Sequence, residues 1–578
     1  MRVVGISTAH DSSLAVYTDG EIEFFYKEER ITGVKRDKRP FAAMLEAAKF
    51  LGSKEVDAIA ISSPHDNFVD SYTQSIAHAA KKMFKTNNTY EFSNLHHLCH
   101  ASLAFYNSGF EEAIVVVVDR NGSNHPDSQG LLLEAETIFT ARYPNVFEQI
   151  VKNYTLSNRG AKSDSFLTPL IHKEKASNPN CEINYNTLYG ITKVYETATV
   201  LIGENILENG KTMGLAAYGS KKKPFVNLFL DNNTPNDSLF TYVPNPRDGW
   251  ESSLYRDHYD KLAKFVDKND YQFYADYAYQ VQKQTQEQVV KLIDSAIQKT
   301  GINNVCVTGG YGLNVVANGY YISKFPDAKF FFEPLADDTG NSIGAAMLVY
   351  RNLSEDNTIR PIRSTFHNGY EPDINIENLN AEVNKKIEYN TVDISHIAEL
   401  LCENKKLAIF NGKAESGPRA LGNRSILFYP NLIDSKDIVN RIKKREWYRP
   451  FAACVLKEDA SKYFDMMNIN ESPYMTISFD CHEETKKLFP GIVHVDGSCR
   501  VQTVDKENEN LYNLLKEVKK ITGHGLLLNT SFNLAGKPLV DTLNQAVQVL
   551  LDSELEYIWI PKNVTIIRKI LRKKNKNV

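Results

Sequence analysis

The sequence predicts an α/β protein of at least two domains, the first of them internally duplicated. Three observations carry this. A chain of 578 residues, 42% of them hydrophobic, exceeds what one ordinary core requires. Apolar strands return twice across a short polar turn, at residues 3–7 with 13–18 and at 113–118 with 131–139. Residues 352–372 then carry few apolar side chains together with Pro361 and Pro372, the composition of a linker. The expected division is a first domain over 1–355, a linker over 356–372 and a second domain over 373–578.

Each element has a local reason. Strands at 13–18 and 21–27 flank Asp19-Gly20, a strong hairpin turn, so the chain opens as a meander. Phe41, Met44, Leu45, Ala48 and Leu51 recur at helical spacing over 40–52, with Gly52 as the stop, before a buried strand at 56–62. The second unit repeats the theme: strand 113–118, a polar turn over 119–129, strand 131–139. Such turns aim backbone N–H groups and short polar side chains into one cleft, as the phosphate-binding hairpins of duplicated ATPase folds do. A long amphipathic helix over 271–299 leads to strand 305–308 and the turn Gly309-Gly310-Tyr311-Gly312. The basic run at 568–576 reads as a solvated tail.

Composition narrows the function. With 67 basic and 71 acidic residues the net charge is −4, which argues against a general polyanion-coating protein. Seven scattered cysteines without a CxxC pair fit neither a disulfide framework nor a cysteine zinc site, and a reducing, cytoplasmic setting is expected. No basic-then-apolar leader opens the sequence and no apolar run reaches the roughly 18 residues of a membrane span, so neither secretion nor membrane insertion is expected. A homodimer is the default expectation for a soluble assembly.

Two groups of residues point to chemistry. His96 and His100 stand four apart, on one face of a helix, a spacing suited to a divalent metal and equally to a pair of core or surface histidines. Asp119 at a strand exit and Asp338 before a small-residue helix start complete a plausible set for Mg²⁺, Mn²⁺ or Fe²⁺, although strand-end aspartates also cap helices. The second group begins in the loop 412–425, where Lys413, Arg419 and Arg424 alternate with glycines. Lys443, Arg445 and Arg449 follow with Trp447 and Tyr448 interleaved, and then Arg500. This composition suits an anion, since arginine offers paired N–H donors to phosphate and lysine a point charge; a solvated basic face is the plainer alternative. The apolar strand entering Asn529-Thr530-Ser531-Phe532-Asn533 brings hydroxyl and amide donors.

These segments, taken in order, resemble the nodulation-protein and cephamycin-type O-carbamoyltransferases, the NodU/CmcH family, whose members include the tobramycin carbamoyltransferase. The markers in the first domain are His10-Asp11-Ser12-Ser13, Glu28-Glu29-Arg30 with Lys35, His96 to Ala101, Lys211 to Ala216, and Gly309 to Asn314 with Ala317-Asn318-Gly319. Gly417 to Leu427, Arg445 to Phe451, His494 to Val504 and Asn529 to Asn533 continue the series to nearly the end of the chain.

The resemblance implies an N-terminal domain of the actin-like ATPase superfamily, related to the tRNA threonylcarbamoyl-transfer enzymes, and a C-terminal YrdC-like α/β domain. It implies ATP-dependent O-carbamoyl transfer, in which carbamoyl phosphate and ATP give carbamoyl adenylate and an acceptor hydroxyl attacks it. ATP and a divalent metal are the implied cofactors, with Mg, Fe or Mn at the His/Asp site. Carried over, Lys443, Arg449, Arg500 and Ser531, with Arg419 and Lys35, hold carbamoyl phosphate and nucleotide phosphates. His96, His100, Asp119 and Asp338 surround the metal, Gly309, Gly310 and Asn314 approach the nucleotide, and His10 or Asp11 takes the hydroxyl proton. In place of the family's Asp-Gly-x-Gly the chain has Asp119-Arg120-Asn121-Gly122, which puts a cation within reach of a ligand phosphate, and Tyr311 stands in the glycine loop where small apolar residues are more frequent.

The expected acceptor is a hydroxyl on a small metabolite or sugar. A hydroxymethylated base in DNA is chemically admissible, and Lys81, Lys82, Lys85 and Arg120 form either a phosphate-tracking surface or a solvated face. The alternatives are a threonylcarbamoyl-transfer enzyme acting on tRNA and a non-catalytic nucleotide-binding protein.

Overall fold

The computed structural model describes residues 1–64, 71–127, 130–156, 179–186, 190–205, 207–220, 227–229 and 271–570. The chain forms two compact units, residues 1–28 with 36–364 and residues 29–35 with 365–578. Residues 571–576 of the basic tail lie outside the described residues.

Unit 1 contains the same strand arrangement twice. Strands β1 (Arg2–Ser7), β2 (Ser13–Thr18), β3 (Glu21–Lys27), β4 (Ala58–Ser62) and β5 (Thr89–Glu91) form a sheet in the order β3-β2-β1-β4-β5. The second sheet takes β6 (Glu112–Val118), β7 (Asn124–Asp127), β8 (Gly130–Arg142), β9 (Val146–Leu156), β10 (Glu182–Asn186), β11 (Asn304–Thr308) and β12 (Lys329–Phe332). Its order is β10-β9-β8-β6-β11-β12, with β7 paired to β8. In each sheet an antiparallel three-strand meander continues through two parallel strands, β1-β4-β5 in one and β6-β11-β12 in the other. The expected duplication is thus present as matched topology. The first hairpin turns on Asp19 (φ 50°) and Gly20 (φ 89°), both left-handed, as a two-residue turn of this kind requires. The stretch 119–129, read from sequence as a plain turn, contains β7: Asn124–Asp127 fold back along Leu133–Gly130.

The core of unit 1 sets the positions of its functional side chains. The helix His96–Ser108 packs against the helix Asn341–Leu353 around Leu103, Ala104, Ile343 and Met347. Gly344 permits the approach, because a Cβ there would stand 2.1 Å from the carbonyl oxygen of Cys99. Ser102 Oγ donates to Gly344 O at 2.9 Å and Ser13 Oγ to Thr339 O at 2.7 Å, which fixes the entry to the second helix against β2. Arg351, buried and packed over the rings of Tyr106 and Tyr143, donates to the Asp356 and Thr358 carbonyls and holds the segment after the helix to this unit.

Unit 2 is built on one mixed sheet of nine strands: β13 (Ile387–Thr391), β14 (Leu407–Phe410), β15 (Arg424–Phe428), β16 (Ala452–Leu456), β17 (Ser478–Asp480), β18 (Ser498–Val504), β19 (Leu526–Ser531), β20 (Tyr557–Ile560) and β21 (Thr565–Lys569). The order is β13-β21-β20-β14-β15-β19-β16-β18-β17. The helices Ile394–Cys402 and Glu509–Thr522 pack on each other, burying Ile397, Leu401, Leu511 and Leu515. The helix Leu543–Asp552 buries Ala546, Val547 and Leu550 among Ile426, Ile558 and Ile567, and a capping box between Thr542 and Gln545 starts it. Among the described residues, no helix is long and apolar enough to cross a membrane.

Candidate functional site

In unit 1, the HxxxH spacing and two strand-end aspartates converge. His96 and His100 open the helix His96–Ser108, and their Nε2 atoms stand 3.2 Å apart. Asp119 leaves the end of β6, and Asp338 starts the turn that feeds the helix Asn341–Leu353. His96 Nε2 lies 3.2 Å from Asp338 Oδ1 and 3.6 Å from Asp119 Oδ2, and His100 Nε2 lies 3.4 Å from Asp338 Oδ1. One ligand atom from each of the four residues falls within 4.8 Å of the others, and all four residues are buried. Two imidazole nitrogens and two carboxylate oxygens in this space fit a divalent ion of hard or borderline character.

The electrostatics of this centre are those of paired opposites. Burial opposes a charge on His96, yet the Asp338 and Asp119 carboxylates outweigh it and raise its pKa to about 10. Burial would likewise raise Asp338, but His10, His96 and His100 hold its carboxyl well below the usual range. His97 points elsewhere. Burial lowers it to about 4, and its Nδ1 lies 2.7 Å from Thr137 Oγ1.

The glycine loop meets this centre. Gly309 has φ 83°, and a Cβ there would approach the Val118 carbonyl to 2.4 Å. The next N–H, of Gly310, donates to Asp119 Oδ1 at 3.0 Å. Asn314 is committed within the protein: its Oδ1 accepts the Ala317 N–H, capping the helix Val315–Lys324, and its amide exchanges bonds of 3.0 and 3.2 Å with Gln282. His10 is partly exposed, with Nδ1 3.3 Å from Asp11 Oδ2 and 3.2 Å from Asp338 Oδ2. Arg120 pairs with Glu196, its Nε 2.7 and 2.8 Å from the two carboxylate oxygens, so the guanidinium expected near a ligand phosphate is engaged by a helix of the same unit. Asn341 was not legible as a site residue, although its Nδ2 lies 3.1 Å from His100 Nε2; its only sequence signal is an amide among small residues three positions after Asp338.

In unit 2, cations gather: Lys443 is buried, Arg445, Arg449 and Arg500 are half-buried, and Glu446 stands 3.6 Å from Arg449. Lys443 ends the helix Ser435–Lys443 and donates to Ser531 O, to Ser531 Oγ at 2.9 Å and to Asn533 Oδ1 at 2.5 Å. Arg445 donates from Nε to Asn440 Oδ1 at 2.7 Å and from Nη2 to Pro450 O at 3.0 Å, and lies over Phe451 at 4.1 Å. Arg500 stands on β18 beside Ala452 of β16, with a buried Nε that has no hydrogen-bond partner among the described residues. Burial, then Arg445, Arg449 and Lys35, push Lys443 well below the usual lysine range. Burial, then Arg449 and Arg500, do the same to Arg445, and burial, then Arg419 and Arg449, to Arg500. The cations expected at an anion site are therefore mutual neighbours. Arg424 of the loop 412–425 has a structural part instead: fully buried on Phe410 at 3.9 Å, it donates to the carbonyls of Asn411, Asn423 and Val540. Glu415 Oε1 gathers the N–H groups of Leu421, Asn423 and Arg424 and so shapes that loop.

The family model for the carbamoyltransferase N-terminus matches residues 67–347, and that for the carbamoyltransferase C-terminus matches residues 398–568. The chain belongs to the carbamoyltransferase family. Nodulation protein NolNO of Sinorhizobium fredii is 27% identical over 95% of this chain and 77% of its own length. Nodulation protein U of Rhizobium tropici is 34% identical over 41% of this chain and 40% of its own length. Among solved structures, full-length HypF in its phosphate- and nucleotide-bound form covers 61% of this chain and 56% of its own, at 15% identity and a TM-score of 0.37. This carbamoyltransferase-family chain is accordingly an enzyme of group transfer, which implies a carbamoyl donor and an acceptor.

Proposed function

We propose that the protein is an ATP-dependent O-carbamoyltransferase that makes carbamoyl adenylate in unit 2 and transfers the carbamoyl group to an acceptor hydroxyl in unit 1. The observation that carries the reading is the group formed by buried Lys443 with half-buried Arg445 and Arg500, each pushed down by loss of solvent and by cationic neighbours. Like charges gathered this way and partly shielded from water call for a polyanion, and carbamoyl phosphate with the phosphates of ATP answers that call. Lys443, Arg449 and Arg500, with Ser531, Arg419 and Lys35, bind and orient these phosphates and stabilise negative charge as it develops. Water releases phosphate from carbamoyl phosphate, a carbamate oxygen bonds to the α-phosphorus of ATP, and pyrophosphate leaves. The resulting anhydride has AMP as a good leaving group.

Transfer belongs to unit 1, which we assign an actin-like ATPase fold on its duplicated sheet topology; unit 2 is assigned as YrdC-like. His96, His100, Asp119 and Asp338 would hold a divalent ion, which when bound supplies Lewis-acid polarisation of the carbamoyl group. His10 takes the proton of the acceptor hydroxyl at Nε2, with the Asp11 and Asp338 carboxylates 3.3 and 3.2 Å from its Nδ1. Gly309 and Gly310 bring backbone close to the nucleotide. The acceptor oxygen bonds to the carbamoyl carbon and AMP departs with the electron pair.

The test is formation of AMP and pyrophosphate from ATP by the purified protein with Mg²⁺ and Fe²⁺ or Mn²⁺, with and without carbamoyl phosphate, followed by a panel of hydroxylated acceptors including hydroxymethylated DNA. Turnover that requires carbamoyl phosphate is the expected result. Turnover with threonine and bicarbonate instead would transfer the protein to tRNA chemistry, and ATP binding without turnover under any metal would make it a binding protein.

A further inference from the structure

The cation centre of unit 2 consists mainly of donors, which suit phosphate oxygens and leave a question about the other half of the donor molecule. A carbamoyl group differs from an acetyl group of nearly the same shape in carrying NH₂ where acetyl carries CH₃. Reading that difference takes a hydrogen-bond acceptor placed next to the phosphate site.

One buried acceptor stands in that position. Asn529 lies on β19, fully buried, two residues before Ser531 and therefore on the same face of the sheet. Across the strands it is the partner of Ala452 on β16, and Ala452 is in turn the partner of Arg500 on β18. Asn529 thus shares a face with Arg500 on one side and Ser531 on the other, with only the methyl group of Ala452 between it and Arg500. Its orientation is fixed by its own bonds: Nδ2 donates to Gln502 Oε1 at 2.9 Å and to Ala420 O at 3.3 Å, both of which accept. The amide oxygen is what remains. Among the described residues, Asn529 Oδ1 is buried without a hydrogen-bond partner, and so is Arg500 Nε on the same face. Buried acceptors are rarely left unmatched, and each such atom calls for an explanation. Phosphate oxygens cannot supply it, because they too accept.

We infer that Asn529 is a specificity-determining residue, its Oδ1 accepting a hydrogen bond from the carbamoyl NH₂ and so selecting carbamoyl phosphate over acyl phosphates that carry a methyl group. The inference rests on the proposed function of the same site. Gln502 is the positioning residue: its Oε1 takes one Asn529 proton while its Nε2 donates to Leu421 O at 2.8 Å, which prevents the Asn529 amide from flipping. An acetyl group at this position would press its methyl against an unpaired buried oxygen, the situation in which a hydrogen-bonding site rejects an apolar isostere strongly.

The experiment measures AMP formation by the full chain with carbamoyl phosphate and with acetyl phosphate, for the unaltered protein, Asn529→Leu and Asn529→Asp. Thermal stabilisation by inorganic phosphate reports folding and an intact cation centre in each. The unaltered protein is expected to prefer carbamoyl phosphate by at least about 100-fold in kcat/KM. Asn529→Leu is expected to lose about 10- to 100-fold with carbamoyl phosphate, to gain or hold with acetyl phosphate, and to keep its phosphate response. Asn529→Asp retains an oxygen at this position and is expected to keep a preference for the carbamoyl donor. A Leu variant that responds to phosphate and still discriminates between the donors overturns the inference. So does a Leu variant that loses phosphate binding and both donors alike, since Asn529 would then serve only to hold the Ala420–Leu421 backbone. If the unaltered protein forms AMP with neither donor, the proposed function itself fails, a result separable from either of these.

Discussion

In unit 1, side chains of opposite charge are in contact, whereas in unit 2 cations gather around buried Lys443, with Glu446 the carboxylate paired to Arg449. His96 lies within 3.6 Å of both Asp119 and Asp338, and their pairing raises the imidazole and depresses the carboxylates. Lys443 is lowered by Arg445 and Arg449, Arg445 by Arg449 and Arg500, and Arg500 by Arg419 and Arg449. The difference teaches what each centre lacks. A set of imidazoles and carboxylates already satisfied by protons accepts a metal cation by releasing those protons. A cluster in which cations outnumber the neighbouring Glu446 carboxylate is completed by an anion, and its ligand contributes stability as well as chemistry.

The strongest way to break this comparison is to remove one charge from the cation centre. Lys443→Met keeps the aliphatic stem and deletes the ammonium that meets Ser531 and Asn533. Carbamoyl-phosphate-dependent AMP formation is expected to fall by about 100- to 1,000-fold, measured as kcat/KM for carbamoyl phosphate. Retained turnover would show that the cations are structural.

A buried carboxyl away from both centres sharpens the comparison by showing what burial does without a cation. Glu333 accepts from Asn107 Nδ2 and the Leu335 N–H, and burial raises it to about 8 despite those two bonds. Its folded pKa stands above its unfolded value near 4.5, so its contribution to stability is full below pH 4.5 and is lost as pH rises through 8. Glu333→Gln should remove that loss. Denaturation between pH 5 and 8.5 is expected to show the variant gaining on the unaltered protein by roughly 4 kcal/mol across the window. Parallel curves would contradict the assignment.

A smaller effect separates the centres by ligand. Inorganic phosphate at about 100 times its Kd should stabilise the protein by about 2.7 kcal/mol, seen as a rise in Tm, and Arg500→Ala should abolish the rise. Asp338→Asn should leave it unchanged. An equal loss in both variants would mean that phosphate does not distinguish the two centres.

How much of this was legible in the sequence depended on the range of the interaction. The hairpin at Asp19-Gly20 and the helix Phe41–Leu51 follow from neighbouring residues and form at the expected bounds, but the helix buries Ala43, Met44, Ala47 and Leu51 and leaves Phe41 and Leu45 of the expected apolar face exposed. The duplication was visible in β1 with β2 and in β6 with β8, because each pair is a local apolar run. The short strand β7 was not, since Asn124, His125, Pro126 and Asp127 have no strand propensity and form a strand by pairing with β8. The His96/His100 pair could be read from its spacing, whereas the approach of Asn341 depends on two helices packed through Gly344. The loop 412–425 showed its cations without their tasks. Only the fold separates Arg424, stacked on Phe410, from Arg419 beside Arg500.

The central claim is that two chemical half-reactions belong to two centres in one chain. It is tested most directly by carbamoyl-phosphate-dependent exchange of labelled pyrophosphate into ATP by Asp338→Asn, alongside transfer of labelled carbamoyl to an acceptor identified with the unaltered protein. The account predicts that exchange persists in the variant while transfer is lost. Loss of exchange together with transfer, in a variant that remains folded and is still stabilised by phosphate, would contradict it.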